Sequence, residues 1–216
     1  MLKSLFPNVD WDIVEIVGFD MDGTLYDEFN FMIQVYIPIA KRIALSTKTT
    51  EQEIYNQLLR RWMEKGSSYN KIFDEILIQH DVVESERETT INECLRIFRK
   101  HTPILTLSDR VSFVLDYVQN KYGLFLITDG GVQLQKAKFH SLGLSSWFEE
   151  ENIGFTGLYG SEYSKPSPLI TKKIKILEGI TNSKKVVFFG DREVDRKFAE
   201  VLGFQFVQTY CLQKEG

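Results

Sequence analysis

Three short apolar runs constrain this chain more than any other feature: Ile13–Phe19 (IVEIVGF), Tyr122–Thr128 (YGLFLIT) and Lys185–Phe189 (KVVFF). Each is rich in β-branched or aromatic residues and reads as a strand. Helical patterns alternate with them. Ser108-Asp109 can cap a helix running to about Asn120, with Gly123 just past its end. Val132–Leu142 is helical and Gly143 can stop it, while Ile153 and Phe155 mark a short strand. Pro168–Gly179 and Asp195–Leu202 read as helices, and Phe204–Val207 as a closing strand. Apolar strands alternating with helices predict an α/β fold, a doubly wound parallel sheet covered on both faces.

The region from about Phe29 to Lys100 follows another pattern. Ile54, Leu58 and Trp62 recur every four residues, and Tyr69, Ile72, Ile76 and then Ile91, Leu95, Phe98 keep helical spacing. These predict three amphipathic helices. A fourth, over Phe29–Ser46, contains Pro38, which should kink or divide it. Gly66-Ser67-Ser68-Tyr69 reads as an ordinary helix connection. A helical insert therefore separates the first strand from the rest.

Composition narrows the class. At 216 residues the chain holds one sizeable core, or a core plus a small accessory domain. Its net charge of −4 argues against a nucleic-acid surface, which needs a basic excess. Cys94 and Cys211 stand in unrelated contexts with no zinc-ligand spacing. Two isolated thiols fit a reducing compartment. The early residues MLKSLFPNVDWD do not resemble a secretory signal, and no apolar run is long enough for a bilayer. The expectation is a soluble cytoplasmic protein without membrane or nucleic-acid partners; oligomeric state is not readable.

Acids cluster where the strands end. In Asp20-Met21-Asp22-Gly23-Thr24, alternate residues of an extended segment point one way, so Asp20 and Asp22 can address one small volume. A solvated acidic loop and a DxD metal–nucleotide-sugar site are the alternatives; a calcium loop fails because Leu25 stands where glycine is needed. In Gly190-Asp191-Arg192-Glu193-Val194-Asp195, two aspartates four apart can face one hard cation, although Asp195 taken alone reads more readily as a helix cap. Thr128, followed by Asp129-Gly130-Gly131 and a helix start, offers a phosphate seat, or an ordinary cap. Lys165 precedes Pro166 and is therefore presented from a restricted, extended backbone, although a single lysine is most often a solvated one. Strand ends of a parallel sheet converge on one edge. Four acids gathered there would repel strongly unless a cation joined them.

The order DxDGT, strand-terminal threonine, Lys-Pro and GDxxxD resembles the haloacid dehalogenase-like (HAD) superfamily, in its phosphatase type, over nearly the whole chain. KAKFHSLGLSSWFEE and SKPSPLITKKI are similar to the segments around the family's lysine motif. The resemblance implies a Rossmann-like core over 1–27 and 106–216 and a small α-helical cap over 28–105. It implies Asp20 as nucleophile, Asp22 as general acid/base, and Lys165 steadying nucleophile and phosphate. Thr128, Asp129, Gly130 and Lys165 would bind the phosphorylated substrate. Asp20, Asp22, Asp191 and Asp195 would serve the Mg2+ site, Asp195 directly or through a water. Two departures stand out: Asp129 replaces a common asparagine, and Arg192-Glu193 are heavier than the small residues usual there.

A carboxylate attacking a phosphate dianion meets roughly 8 kcal/mol of repulsion at about 4 Å, taking about 4 per charge pair at an effective dielectric near 20. Magnesium and Lys165 can cancel most of it. The expected activity is a magnesium-dependent phosphomonoester hydrolase acting through a phosphoaspartate on a small metabolite. A phosphomutase, a nucleotide-sugar glycosyltransferase and a non-catalytic binding protein are the rivals. His80, His101 and His140 have no partner pattern and read as structural or surface residues.

Overall fold

The computed structural model describes residues 2–209. Cys211 lies outside them, and Cys94 is a buried free thiol. After a short helix α1 (Leu2–Leu5) the chain enters β1 (Ile16–Phe19). Four helices follow: α2 (Phe29–Ala44), α3 (Glu51–Lys65), α4 (Ile72–Gln79) and α5 (Glu84–Lys100). Then come α6 (Asp109–Gln119), β2 (Gly123–Thr128), α7 (Val132–Ser141), β3 (Ile153–Phe155), β4 (Val186–Gly190), α8 (Glu193–Leu202) and β5 (Gln205–Gln208). Phe29–Pro103 forms one compact unit and the flanking residues form the other.

The five strands make one parallel sheet in the order β3-β2-β1-β4-β5. Strand alternation sends side chains to both faces. On one face Ile16, Phe125, Ile127, Val186 and Phe188 pack with Ile170, Ile174, Phe198 and Ala199. On the other, Phe19 stacks on Phe189, and Phe6 and Phe148 meet this pair edge-on. The sheet is thus covered on both sides, as the apolar strands require. Fully burying each such ring contributes about 1.5–3 kcal/mol. Because β1 lies between β2 and β4, their C-terminal ends sit side by side.

Local chemistry explains most boundaries. Ser108 accepts from Val111 N to open α6, and Thr50 and Glu53 form a reciprocal capping box for α3. Gly143 and Gly203 close α7 and α8 with left-handed backbone.

Two expectations need correction. Pro38 does not divide α2, which runs through it. Buried Phe31, Met32 and Val35 before the proline, and Ile39, Ala40 and Ile43 after it, anchor both halves on one face. Residues 168–179 are not one α-helix. They form 3-10 turns at Pro168–Lys173 and Lys175–Leu177, with Ile174 extended between them. Ile176 N then donates to Asn152 Oδ1 at 2.9 Å, a bond that ties this segment to the turn before β3.

The helical unit also has a polar seam. On α5 the fully buried residues are Thr90 and Cys94, while Ile91, Leu95 and Phe98 are half-buried. The Arg42 guanidinium explains the shift, since it bonds to Glu93, to Ser46 Oγ at 3.0 Å and to Thr90 Oγ1 at 3.1 Å. At the 66–69 turn, Tyr69 and Arg61 both bond to Glu75. His80 is held by Thr49 and Gln57. Among the described residues, no helix is long and apolar enough to cross a membrane.

Candidate active site

Asp20 follows β1 directly, Thr128 ends β2, and Asp191 follows β4, so adjacent strand ends carry the motif residues to one edge. Oxygens of Asp20, Asp191 and Asp195 lie within 4.8 Å of one another. Two glycines permit this approach. Gly23 has φ +77°, and a Cβ there would meet Asp191 Oδ2 at 2.3 Å. A Cβ on Gly190 would meet Asp195 Cβ at 2.3 Å.

Lys165 reaches this cluster from the loop after β3, where the Lys165–Pro166 peptide is cis. Its Nζ lies 2.5 Å from both Asp20 Oδ1 and Asp195 Oδ1, with all three side chains buried. The ammonium also sits over the Phe188 ring. Asp195 performs the capping role too: its Oδ2 accepts from Arg192 N at 3.0 Å.

The charge balance is uneven. Two buried carboxylates share one ammonium, leaving a surplus negative charge. Burial pushes the Asp20 carboxyl up to about 8; Lys165 opposes that shift and the Asp195 charge adds to it. Burial alone would lower the Lys165 pKa, but Asp20 and Asp195 outweigh it and hold the ammonium charged. Asp191 is pushed up to about 6, chiefly by burial, against the nearby Arg192. Arg192 Nε is 3.9 Å from both Asp191 and Asp195. Asp20 Oδ2 and Asp191 Oδ1 are buried without a hydrogen-bond partner among the described residues. Hard oxygen donors, surplus charge and two orphaned carboxylate atoms fit a divalent cation held by Asp20, Asp191 and Asp195.

Asp22, expected among the metal residues, lies outside this three-carboxylate group. Its Oδ1 accepts from Lys138 Nζ at 2.6 Å and from the Tyr26 hydroxyl, and its Oδ2 accepts from Gln135 Nε2 at 2.6 Å. Burial raises the Asp22 pKa, but the Lys138 charge and these donors outweigh it and hold the carboxyl below its ordinary range.

Thr128 does not cap α7. The N-cap is Gly131, without a side-chain bond, and Thr128 Oγ1 accepts from Gln135 Nε2 at 2.7 Å. Gly130, exposed with φ +123°, follows. The Asp129 carboxylate turns to the lysine loop, accepting from Thr156 Oγ1 at 2.9 Å and Lys165 N at 3.2 Å. Its charge is thereby engaged in holding Lys165 in place.

Gln135, Lys138 and Tyr26 escaped the sequence reading. The buried face of α7 is Leu134, Gln135, Lys138 and Phe139. A glutamine and a lysine three apart on an otherwise apolar stripe were the available signal.

The model for haloacid dehalogenase-like hydrolases matches residues 14–203, and the chain belongs to that family. No curated protein matches the chain. Similar solved structures include a HAD-superfamily hydrolase of subfamily IA, variant 1, from Geobacter sulfurreducens. It is 22% identical with a TM-score of 0.67, covering 91% of this chain and 87% of that one. A protein of Haemophilus somnus 129pt assigned as a phosphoglycolate phosphatase is 18% identical at TM-score 0.64, covering 92% and 86%. A Thermotoga maritima protein assigned as a beta-phosphoglucomutase is 22% identical at TM-score 0.62, covering 94% and 88%. At these identities the structures speak for the fold.

Proposed function

We propose that this chain is a magnesium-dependent phosphomonoester hydrolase that works through a phosphoaspartate at Asp20. The observation that carries the reading is the buried Lys165 bridging Asp20 and Asp195 beside Asp191, with unpartnered carboxylate oxygens in the same cluster. A bound magnesium would supply positive charge against the phosphate and Asp20, through Asp20, Asp191 and Asp195. The chain's own residues do the rest.

Asp20 attacks phosphorus with one carboxylate oxygen while Lys165 holds the other and offsets the approaching negative charge. Thr128 and the uncapped N–H groups at the start of α7 seat the phosphoryl oxygens. The ester P–O bond breaks and its oxygen takes a proton from Asp22, which has gained one from solvent. Water then attacks the phosphoaspartate, Asp22 accepts its proton, and the Asp20–phosphorus bond breaks. The cycle converts ester and water to alcohol and phosphate, with Asp22 again carrying a proton. The helical unit Phe29–Pro103 is proposed as the cap that selects the substrate, a small phosphorylated metabolite.

The test is a phosphomonoester panel with magnesium, with chelator and with Asp20→Asn. Phosphate release should require the metal and fall by at least about 10^4-fold in the variant. Release that persists in Asp20→Asn would remove the nucleophile. A mutase, the assignment of the Thermotoga maritima neighbour, would need the same two aspartates; it would isomerise a sugar phosphate on the panel with little free phosphate.

A further inference from the structure

Helix α7 buries a charge where a hydrocarbon would pack. Lys138 lies between Leu134 and Phe139 on the inner face, with 4% of its side chain exposed. Taking an ammonium out of water costs several kcal/mol before pairing, and a well-packed apolar side chain is often as stable or more so. Packing alone therefore gives no reason for a lysine here. What distinguishes it is its partner, Asp22 Oδ1 at 2.6 Å. One turn earlier, Gln135 is equally buried, and its Nε2 lies 2.6 Å from Asp22 Oδ2, 2.7 Å from Thr128 Oγ1 and 2.6 Å from Asp129 O.

We propose that Lys138 and Gln135 are positioning residues that fix the Asp22 carboxylate in register with the Thr128 hydroxyl. The inference rests on the phosphatase reading and deepens it. With Lys138 and the Tyr26 hydroxyl on Oδ1 and Gln135 on Oδ2, the plane of the carboxylate is set, so the Asp22 side chain cannot rotate without losing a buried bond. The Gln135 amide ties the same carboxylate to Thr128. Both donors stand on the helix whose start follows the phosphate seat, so α7 holds seat and proton donor at a fixed separation. Proton transfer to a leaving oxygen needs that separation to hold within about 0.5 Å. Lys138 keeps its own protons throughout; the proton that moves is the one on Asp22.

The experiment compares two esters under magnesium: p-nitrophenyl phosphate, whose leaving group needs no proton, and the best alkyl phosphate of the panel, whose leaving group does. General acid help contributes about 10^2–10^4-fold. Lys138→Met should cut kcat for the alkyl ester about 10^2-fold or more with KM little changed, and cut the aryl ester less than about tenfold. Lys138→Arg should recover most of the alkyl rate. In an Asp22→Asn background, Lys138→Met should cost less than about threefold more, since its route through Asp22 is gone. Gln135→Met removes no charge and should show the same dependence on the ester, which covers the case of a poorly folding Lys138→Met. Equal losses on both esters, a loss confined to KM, or full additivity with Asp22→Asn would overturn the inference. A wild-type protein that releases phosphate from no ester fails the phosphatase reading itself, and this inference falls with it. That outcome is visible before any variant is made.

Discussion

Arg42 in the helical unit and Lys165 at the sheet edge are both cations held inside the protein, and they differ in how completely they are answered. The Arg42 guanidinium has Glu93, Ser46 and Thr90 on its three nitrogens, and Ser46 and Thr90 bond to each other. Glu93 keeps access to water. Lys165 serves two carboxylates at once in a dry setting, and Asp20 Oδ2 beside it has no partner among the described residues. Buried polar groups that are satisfied hold a fold together. A cluster left short of positive charge is costly for folding, and its cost points to something the site is built to receive.

The contrast breaks most visibly at Lys165. Lys165→Met strands Asp20 and Asp195 together and should cost about 3–5 kcal/mol in urea unfolding. An unchanged midpoint would mean the carboxylates are already neutral. Asp20→Asn should act with the opposite sign, stabilising the metal-free protein at neutral pH. The native carboxyl is raised from 3.8 to about 8. Between these values the folded protein binds a proton that the unfolded chain has released. The acid's penalty therefore grows as pH rises from about 4 to about 8 and is level above, and the gain from Asp20→Asn should grow over the same window. Unfolding in chelator across that range checks it.

Arg42→Met tests the satisfied side. It should cost about 1–2 kcal/mol, because Thr90 loses a donor while Glu93 can hydrate, and turnover per folded molecule should stay within about twofold. The smallest effect is at Glu75. Arg61 first, then Tyr69, lower its carboxyl to about 2 from 4.5. Its stabilisation is complete above about 4.5 and lost as pH falls through about 2. The stability gap between wild type and Glu75→Gln should therefore shrink on acidification through that window.

The strands and their acids were legible because the signals are local: apolar runs end at Asp20, Thr128 and Asp191, and parallel pairing brings those ends together. The parts that were not legible depend on partners remote in sequence. Gln135 and Lys138 show locally only as polar residues on an apolar stripe, and their partner Asp22 stands more than a hundred residues earlier. Thr90 and Cys94 replace the apolar triplet of α5 because Arg42 arrives from α2. The segment 168–179 forms 3-10 turns instead of one helix, and Ile176 in it bonds to the remote Asn152. Asp129, an unexplained extra charge in the sequence, is accounted for by Thr156 and the Lys165 loop.

Gly23 and Gly190 carry a practical lesson for anyone redesigning this molecule. The bare α-carbons at 23 and 190 act as spacers of zero length, each leaving room for a carboxylate that a single methyl group would displace. Gly23→Ala would therefore push the Asp191 carboxylate out of place and strain the backbone at once, so a library gains by leaving both positions untouched and diversifying elsewhere.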